Sequence, residues 1–223
     1  MSKLITHRIP NDIPCHHILS FVKQLVQSGA ESLEVDVFSF GENRLVVCTN
    51  INIRESFDSE EELVYLEDLF AWVRDWNIPI QLILNLRNAF LEQRVKRMVD
   101  QWDLKKQVNY CGIVDPAALT PWDRPYIHYN IENCLPNVYR LGPIKRTHFD
   151  VLHYFCTKYR VTTVRLHRSL FTQEILEWTE ALDLKLSIYG IKKTKEAKQL
   201  REAGVDFVAT SDSKKYRQLI VNH

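Results

Sequence analysis

The sequence predicts an α/β fold, specifically a (β/α)8 TIM barrel, and three observations indicate it. Short apolar runs rich in β-branched residues alternate with longer amphipathic stretches, which is typical of a parallel sheet wrapped by helices. The 223 residues match the roughly 200–250 that such barrels use without splitting. Because no linker or low-complexity segment divides the chain, we expect residues 1–223 to form one domain.

Nine segments have the apolar, β-branched character of strands, and six stretches between them have helical periodicity. The predicted strands are residues 3–7, 32–38, 44–48, 80–86, 107–113, 125–130, 161–166, 184–189 and 206–210. The predicted helices are residues 16–28, 62–76, 90–101, 147–159, 172–182 and 193–203. Nine strands exceed a barrel by one. Since Gly41, Glu42 and Asn43 give a turn signal between the second and third strands, these two form either a hairpin or adjacent barrel strands.

The segment 115–146 is predicted to be the least regular part of the chain. It contains Pro116, Pro121, Pro125, Pro136 and Pro143. Proline lacks a backbone N–H and breaks helices, so a long helix is not expected there.

Composition limits the classes of partner. Hydrophobic residues at 45% and charged residues at 26% are typical of a folded globular chain. A net charge of +1 provides no broad field for nucleic acid or anionic lipid, so any anion must be bound by a few local cations. No stretch approaches the roughly 20 apolar residues of a membrane span, and the amino terminus does not resemble a signal sequence. We therefore expect a cytoplasmic protein with no nucleic-acid partner.

The five cysteines are scattered, odd in number and free of any CxxC pair. This pattern predicts neither a zinc site nor a disulfide framework, so reduced cysteines are expected.

Four residues near the ends of the first two predicted strands are candidates for a functional site. His7 and Arg8 end the first strand, and the carboxyl ends of barrel strands are where catalytic side chains gather. Glu34 and Asp36 lie two residues apart on the second strand and therefore share one face. Two buried carboxylates repel each other unless a cation lies between them, either a metal ion or the neighbouring arginine. The alternative is that they are solvated at the edge of the strand.

Several short motifs occur in the order and at the spacing of one known family, the glycerophosphodiester phosphodiesterases. The sequence resembles this family most closely over residues 3–49 and 193–210. The motifs are His7-Arg8, Gly29-Ala30 followed by Glu34-Val35-Asp36-Val37, then Leu45-Val46-Val47, and Gly204-Val205-Asp206 leading into Thr210.

The resemblance implies an enzyme of lipid metabolism that hydrolyses a phosphodiester with a divalent cation, Mg²⁺ or Ca²⁺, and a pair of histidines as general acid and base. It makes Glu34 and Asp36 metal ligands, since hard carboxylate oxygens suit these ions. It gives His7 a proton-transfer role, for which the near-neutral pKa of histidine is suited. Arg8 would bind the phosphate.

The sequence departs from the family pattern at three positions. Thr49 stands where the family has its second histidine, and loss of such a group typically removes roughly 10²–10⁴ of rate. Asn85 replaces a glutamate and would be a third, weaker metal ligand through its carbonyl oxygen. Arg87 replaces a lysine, and it either binds phosphate or forms a salt bridge to Glu34 or Asp36.

Two further observations bear on activity. The family's capping insertion is almost absent, because only residues 54–62 are available for it. His16, His17 and His128 are the candidates to replace the missing histidine, whereas His148, His153 and His167 are weaker ones.

Two functions follow from these patterns. The first is a phosphodiesterase-like, metal-dependent phosphoric diester hydrolase with weak or altered activity. The second is a pseudoenzyme, a catalytically inactive barrel that binds a phosphate-containing ligand through Arg8 and Arg87 or binds a protein partner. The sequence carries no signal for an oligomeric state.

Overall fold

Eight parallel strands pair side by side around a barrel in a computed structural model that describes residues 4–9, 13–42, 44–48, 63–140, 144 and 146–210. The strands of the described chain are β1 (Leu4–Arg8), β2 (Ser32–Phe40), β3 (Arg44–Val47), β4 (Val64–Tyr65), β5 (Gln81–Leu86), β6 (Val108–Gly112), β7 (His128–Asn130), β8 (Thr163–His167), β9 (Lys185–Ile191) and β10 (Phe207–Thr210). The order around the barrel is β1, β2, β5, β6, β7, β8, β9 and β10, and β10 pairs with β1. A bridge between Tyr110 and Ile127 joins β6 to β7.

The extra predicted strand lies outside the barrel. β3 pairs antiparallel with the end of β2, with Val37 opposite Val47 and Phe40 opposite Arg44. Of the two alternatives for this region, the hairpin is therefore the one that forms. The two-residue strand β4, which periodicity did not predict, extends this antiparallel flap beside β3.

The predicted helices wrap the outside of the barrel. They are α1 (Ile18–Gln27), α2 (Leu66–Asp75), α3 (Glu92–Gln101), α4 (Arg146–Tyr159), α5 (Gln173–Ala181) and α6 (Thr194–Glu202). In α2 the buried residues Leu66, Leu69, Phe70 and Val73 recur at helical spacing, which turns one apolar stripe towards the sheet. The proline-rich segment contains short 3-10 turns at 116–118, 124–126, 131–133 and 138–140. This agrees with the prediction that the segment is irregular and has no long helix.

Polar and charged side chains line much of the inside of the barrel, whereas the outward faces of the strands carry the apolar core. Residues two apart on a strand share a face, so Thr6 and Arg8 on β1 point inward with Ser32 and Glu34 on β2. The Thr6 and Ser32 hydroxyls lie 3.0 Å apart, and both residues are buried. The alternate residues of β2, such as Val35, pack under the helices. This alternation directs the candidate carboxylates into the barrel.

Several expectations fall on residues that the structure does not describe. Thr49 and the short capping segment 54–62 lie outside the described residues. His7 lies within β1, paired in register with Leu33 and Thr210, but its side chain is not among those described. Among the described residues, no helix is both long and apolar enough to cross a membrane.

The cysteines differ from expectation at one position. Cys48 is disulfide-bonded, so the expectation that all five are reduced is wrong. Its sequence spacing could not show this, because a disulfide depends on which segments the fold brings together. Cys111, Cys134 and Cys156 are free.

His128 is buried inside the barrel, which excludes it as an exposed proton-transfer group. Its ring centre lies 4.4 Å from that of Phe207, and its Nδ1 has no hydrogen-bond partner among the described residues. Desolvation lowers the pKa of His128 to about 3, and the positive charges of Arg165 and Lys185 act in the same direction. The folded barrel therefore keeps this imidazole neutral.

We predict that the free energy of unfolding falls between pH 6.5 and pH 4 because of His128. Below its ordinary pKa of about 6.5 the unfolded chain binds a proton that the folded barrel does not, which costs up to about 1.4 kcal/mol per pH unit. Above pH 6.5 neither state is protonated there, and the contribution vanishes. His128→Phe should flatten this acid slope in urea unfolding measured across the range. The exposed His153→Gln should leave it unchanged, and an unchanged slope in His128→Phe would contradict the assignment.

Candidate functional site

A cavity of about 270 Å³ opens at the carboxyl ends of the barrel strands. It is lined by Arg8, Glu34, Asn85, Leu86, Arg87, Gly112, Ile113, Asn130, Glu132, Asn133, Tyr139, Arg165 and Tyr189. This end is where (β/α)8 barrels place their functional groups. The candidate residues Arg8, Glu34, Asn85 and Arg87 thus come together in one place, with Asp36 in direct contact with two of them.

Asp36 is bound on both oxygens by neighbouring strands. Arg8 on β1 donates from Nη2 to Asp36 Oδ2 at 2.8 Å, and Asn85 on β5 donates from Nδ2 to Oδ1 at 2.6 Å. The strand pairing explains the meeting, since β2 lies between β1 and β5 and Asp36 is in register with Asn85. Asp36 therefore accepts a side-chain hydrogen bond on each of its two carboxylate oxygens.

Glu34 is paired with an arginine from the opposite wall of the barrel. Arg165 on β8 donates from Nη2 to Glu34 Oε2 at 2.7 Å, and both residues are almost fully buried. Arg8 Nε lies 3.8 Å from the other Glu34 oxygen. The Arg165 guanidinium also lies 3.4 Å from Ser187 Oγ and 4.9 Å from the centre of the Tyr189 ring. The second site carboxylate is thus neutralised by a cation that the sequence analysis did not single out.

The pKa values of both arginines keep them charged. Desolvation by burial would lower the pKa of Arg8, but the Asp36 and Glu34 carboxylates outweigh it and raise that pKa. Burial likewise opposes the charge of Arg165, and the ion-paired Glu34 contributes to a pKa that is nevertheless raised. Each guanidinium is therefore a permanent cation beside its carboxylate.

The described side chains do not fit a divalent metal ion. The expected ligands Glu34 and Asp36 are each bound by a guanidinium, and Asn85 turns its amide donor, not its carbonyl oxygen, towards Asp36. A divalent cation at these oxygens would be repelled by both arginines. Among the described residues, no group of three His, Cys, Asp or Glu side chains could hold an ion. Of the two cations considered from the sequence, arginine is the one that the described side chains place against both carboxylates.

Arg87 lies at the cavity wall. It follows β5 directly, it is half-buried, and it forms no ion pair with any described residue. The expected alternative of a salt bridge to Glu34 or Asp36 is therefore not the arrangement found. Its donors remain available to an anion in the cavity.

A cluster of Glu132, Tyr139 and Tyr189 forms another part of the cavity wall, and no sequence pattern predicted it. Both tyrosine hydroxyls donate to Glu132 Oε1, and they lie 2.7 Å apart. Desolvation together with the hydrogen bond to Glu132 raises the pKa of Tyr139 to about 12, so it stays a neutral donor. The sequence offered one clue to this cluster: Tyr189 lies two residues beyond Ser187, so the two side chains share one face of β9.

The remaining histidines are distributed unevenly about this mouth. His16 and His17 are exposed on the turn after β1, with ring centres 4.1 Å apart, and they do not line the cavity. His167, ranked lower from the sequence, ends β8 and packs its ring 5.3 Å from Tyr189 and 5.8 Å from Tyr139. It is therefore in contact with the cavity wall.

The comparisons with known proteins agree with this architecture. No family model and no curated protein matches the chain. Among solved structures, the chain is similar to a glycerophosphodiester phosphodiesterase from Parabacteroides distasonis, with 16% identity, a TM-score of 0.66 and coverage of 100% of this chain and 99% of that one. It is also similar to a phosphodiesterase from Oleispira antarctica in complex with the product sn-glycerol-3-phosphate, with 14% identity, a TM-score of 0.65 and coverage of 97% and 96%.

A third solved structure, a barrel of a different kind, is less similar to the chain. The tryptophan synthase α subunit from Legionella pneumophila is 17% identical but has a TM-score of only 0.51, over 94% of this chain and 80% of that one. The fold is thus a (β/α)8 barrel, as the sequence predicted. Within that class the chain is more similar in structure to these glycerophosphodiester phosphodiesterase and phosphodiesterase structures than to the tryptophan synthase α subunit. At these identities the likeness establishes the fold.

We predict that Gly112→Ala distorts the site wall. Gly112 ends β6 with φ of +85°, and an added Cβ would overlap Asn85 Oδ1 and lie 2.5 Å from the Leu86 carbonyl oxygen. Left-handed backbone alone costs about 1–2 kcal/mol for alanine, and overpacking adds about 1–3 kcal/mol. Gly41→Ala is the matched control, because Gly41 has φ of +59° and open space around it. Urea unfolding should show the larger loss at Gly112, and equal losses would contradict the contact.

Proposed function

We propose that this barrel binds a small phosphate-containing molecule at its mouth, through Arg87 and Arg8, without metal-dependent hydrolysis. The observation that supports it most directly is the pairing of charges. Glu34 and Asp36 are neutralised by Arg165 and Arg8, whereas Arg87 lines the cavity with no ion pair among the described residues. An anion is the ligand that such a cation recruits.

The chemistry of the wall suits a phosphate monoester or diester of a small alcohol. Arg8 has donors beyond the one bound to Asp36, and Arg87 offers a planar fork that matches two phosphate oxygens. The cavity of about 270 Å³ admits a compact ligand rather than a polymer. The product sn-glycerol-3-phosphate in the Oleispira antarctica structure supports the same ligand class.

A second candidate is a phosphodiesterase-like, metal-dependent phosphoric diester hydrolase with weak or altered activity. It is favoured by the likeness of the fold to phosphodiesterase structures and by Glu34 and Asp36 on one face of β2. In this reading His7 and Arg8 act in catalysis, and Glu34, Asp36 and Asn85 bind Mg²⁺ or Ca²⁺. It requires the ion to displace two guanidinium groups from their carboxylates, which makes it the weaker of the two.

Isothermal titration calorimetry with sn-glycerol-3-phosphate tests the first proposal. Arg87→Ala removes a charged donor and should weaken binding by roughly 10–100-fold, since hydrogen bonds to charged groups contribute about 1.5–3 kcal/mol. Arg97→Ala is the matched control, because Arg97 is exposed on α3 and does not line the cavity. Equal affinity in all three proteins would refute the role of Arg87.

A metal-dependence assay separates the two candidates. With Mg²⁺ or Ca²⁺ and a glycerophosphodiester, we expect no turnover that depends on the ion, because the carboxylates are occupied by arginines. Melting temperatures measured with and without the ion should coincide for the parent and for Glu34→Gln. Metal-dependent hydrolysis that disappears in His7→Ala would establish the second candidate instead.

A further inference from the structure

We infer that Arg165 is a resident cation that takes the electrostatic place of a bound metal ion, and that its removal converts the barrel mouth into a divalent-cation site. The inference does not depend on which ligand the cavity binds. It concerns the carboxylates Glu34 and Asp36, and the reason that two acidic groups persist side by side in a buried position.

The pair formed by Glu34 and Arg165 spans the barrel. β2 and β8 lie four strands apart whichever way the barrel is followed, so the two residues start from opposite walls. Arg165 Nη2 reaches Glu34 Oε2 at 2.7 Å, although the residues are 131 positions apart in the chain. The Arg165 guanidinium thus lies directly against one of the two inward carboxylates, and Arg8 lies against both.

Three contacts hold the guanidinium in place. One nitrogen bonds Glu34, a second lies 3.4 Å from Ser187 Oγ, and the plane lies over the Tyr189 ring at 4.9 Å. Arginine supplies both a fork of donors and a flat face, which a lysine ammonium does not. The arrangement is therefore a fixed part of the wall and not a surface ion pair.

The charges of the buried carboxylates and arginines balance without a metal ion. Glu34 and Asp36 carry two negative charges, and Arg8 and Arg165 carry two positive charges in contact with them. Replacing Arg165 with a neutral residue leaves two buried carboxylates sharing one arginine. Such a group of hard oxygens with net negative charge, next to the Asn85 amide, has the chemistry that Mn²⁺, Mg²⁺ and Ca²⁺ require.

The test uses the full chain and Mn²⁺ as the probe, in a buffer free of phosphate. Binding is followed by the loss of the electron paramagnetic resonance signal of free Mn²⁺, and melting temperature is measured in parallel. Arg165→Gln should bind Mn²⁺ at least ten-fold more tightly than the parent. Its melting temperature should be lower than the parent's and should rise when Mn²⁺ is added.

Two control variants make the result specific. Arg168→Gln removes an arginine that pairs with Glu196 on the surface, and it should bind Mn²⁺ no better than the parent. Glu34→Gln together with Arg165→Gln removes both charges of the buried pair and should lose the gained affinity.

Three outcomes would overturn the inference. The parent binds Mn²⁺ as tightly as Arg165→Gln, or Arg165→Gln gains no affinity, or Arg165→Gln fails to fold even when Mn²⁺ is present throughout refolding. The last outcome counts against it because an ion able to replace the guanidinium would restore the fold. None of these results bears on phosphate binding by Arg87, which is measured without metal.

Discussion

The ion pair between Glu34 and Arg165 is the interaction on which the rest of the barrel mouth depends. Two charges are removed from water in the middle of the barrel, and only their close contact and the neighbouring hydroxyl and ring offset that cost. Once Glu34 is neutralised, Arg8 is directed to Asp36, and Asp36 in turn orients Asn85. One side of the cavity is thus a continuous chain of contacts from Arg165 through Glu34, Arg8 and Asp36 to Asn85.

This arrangement explains why an inherited acidic motif does not by itself imply a metal enzyme. A metal site and an arginine-filled site place the same carboxylates on the same face of a strand, and they differ in the cations that contact those carboxylates. Here those cations are Arg8 on the adjacent strand β1 and Arg165 on the distant strand β8. The same strand motif is therefore compatible with two different electrostatic environments, depending on which side chains face it from the other strands.

The secondary structure was predictable because it depends on local periodicity. All nine predicted strands and six helices are present, with ends within a few residues, and β4 was missed because two residues carry no period. Glu34 and Asp36 were identified from the same local periodicity, since residues two apart on a strand share one face. Arg165, Glu132 and Tyr139 were not, since a charged or aromatic residue acquires its role from partners on other strands. Whether Arg87 forms a salt bridge likewise could not be predicted, because it depends on which carboxylates are already paired with other arginines.

Of the strand pairs described in the barrel, β6 and β7 share the least backbone pairing. One backbone bridge joins these strands, and side chains complete the closure: Gly112 N donates to Asn130 Oδ1, and Asn133 Nδ2 donates to the Gly112 carbonyl. Asn130 and Asn133 also line the cavity. The amides that line the cavity therefore also join the seam of the barrel, so that a substitution at Asn130 or Asn133 would alter the cavity wall and the closure of the sheet together.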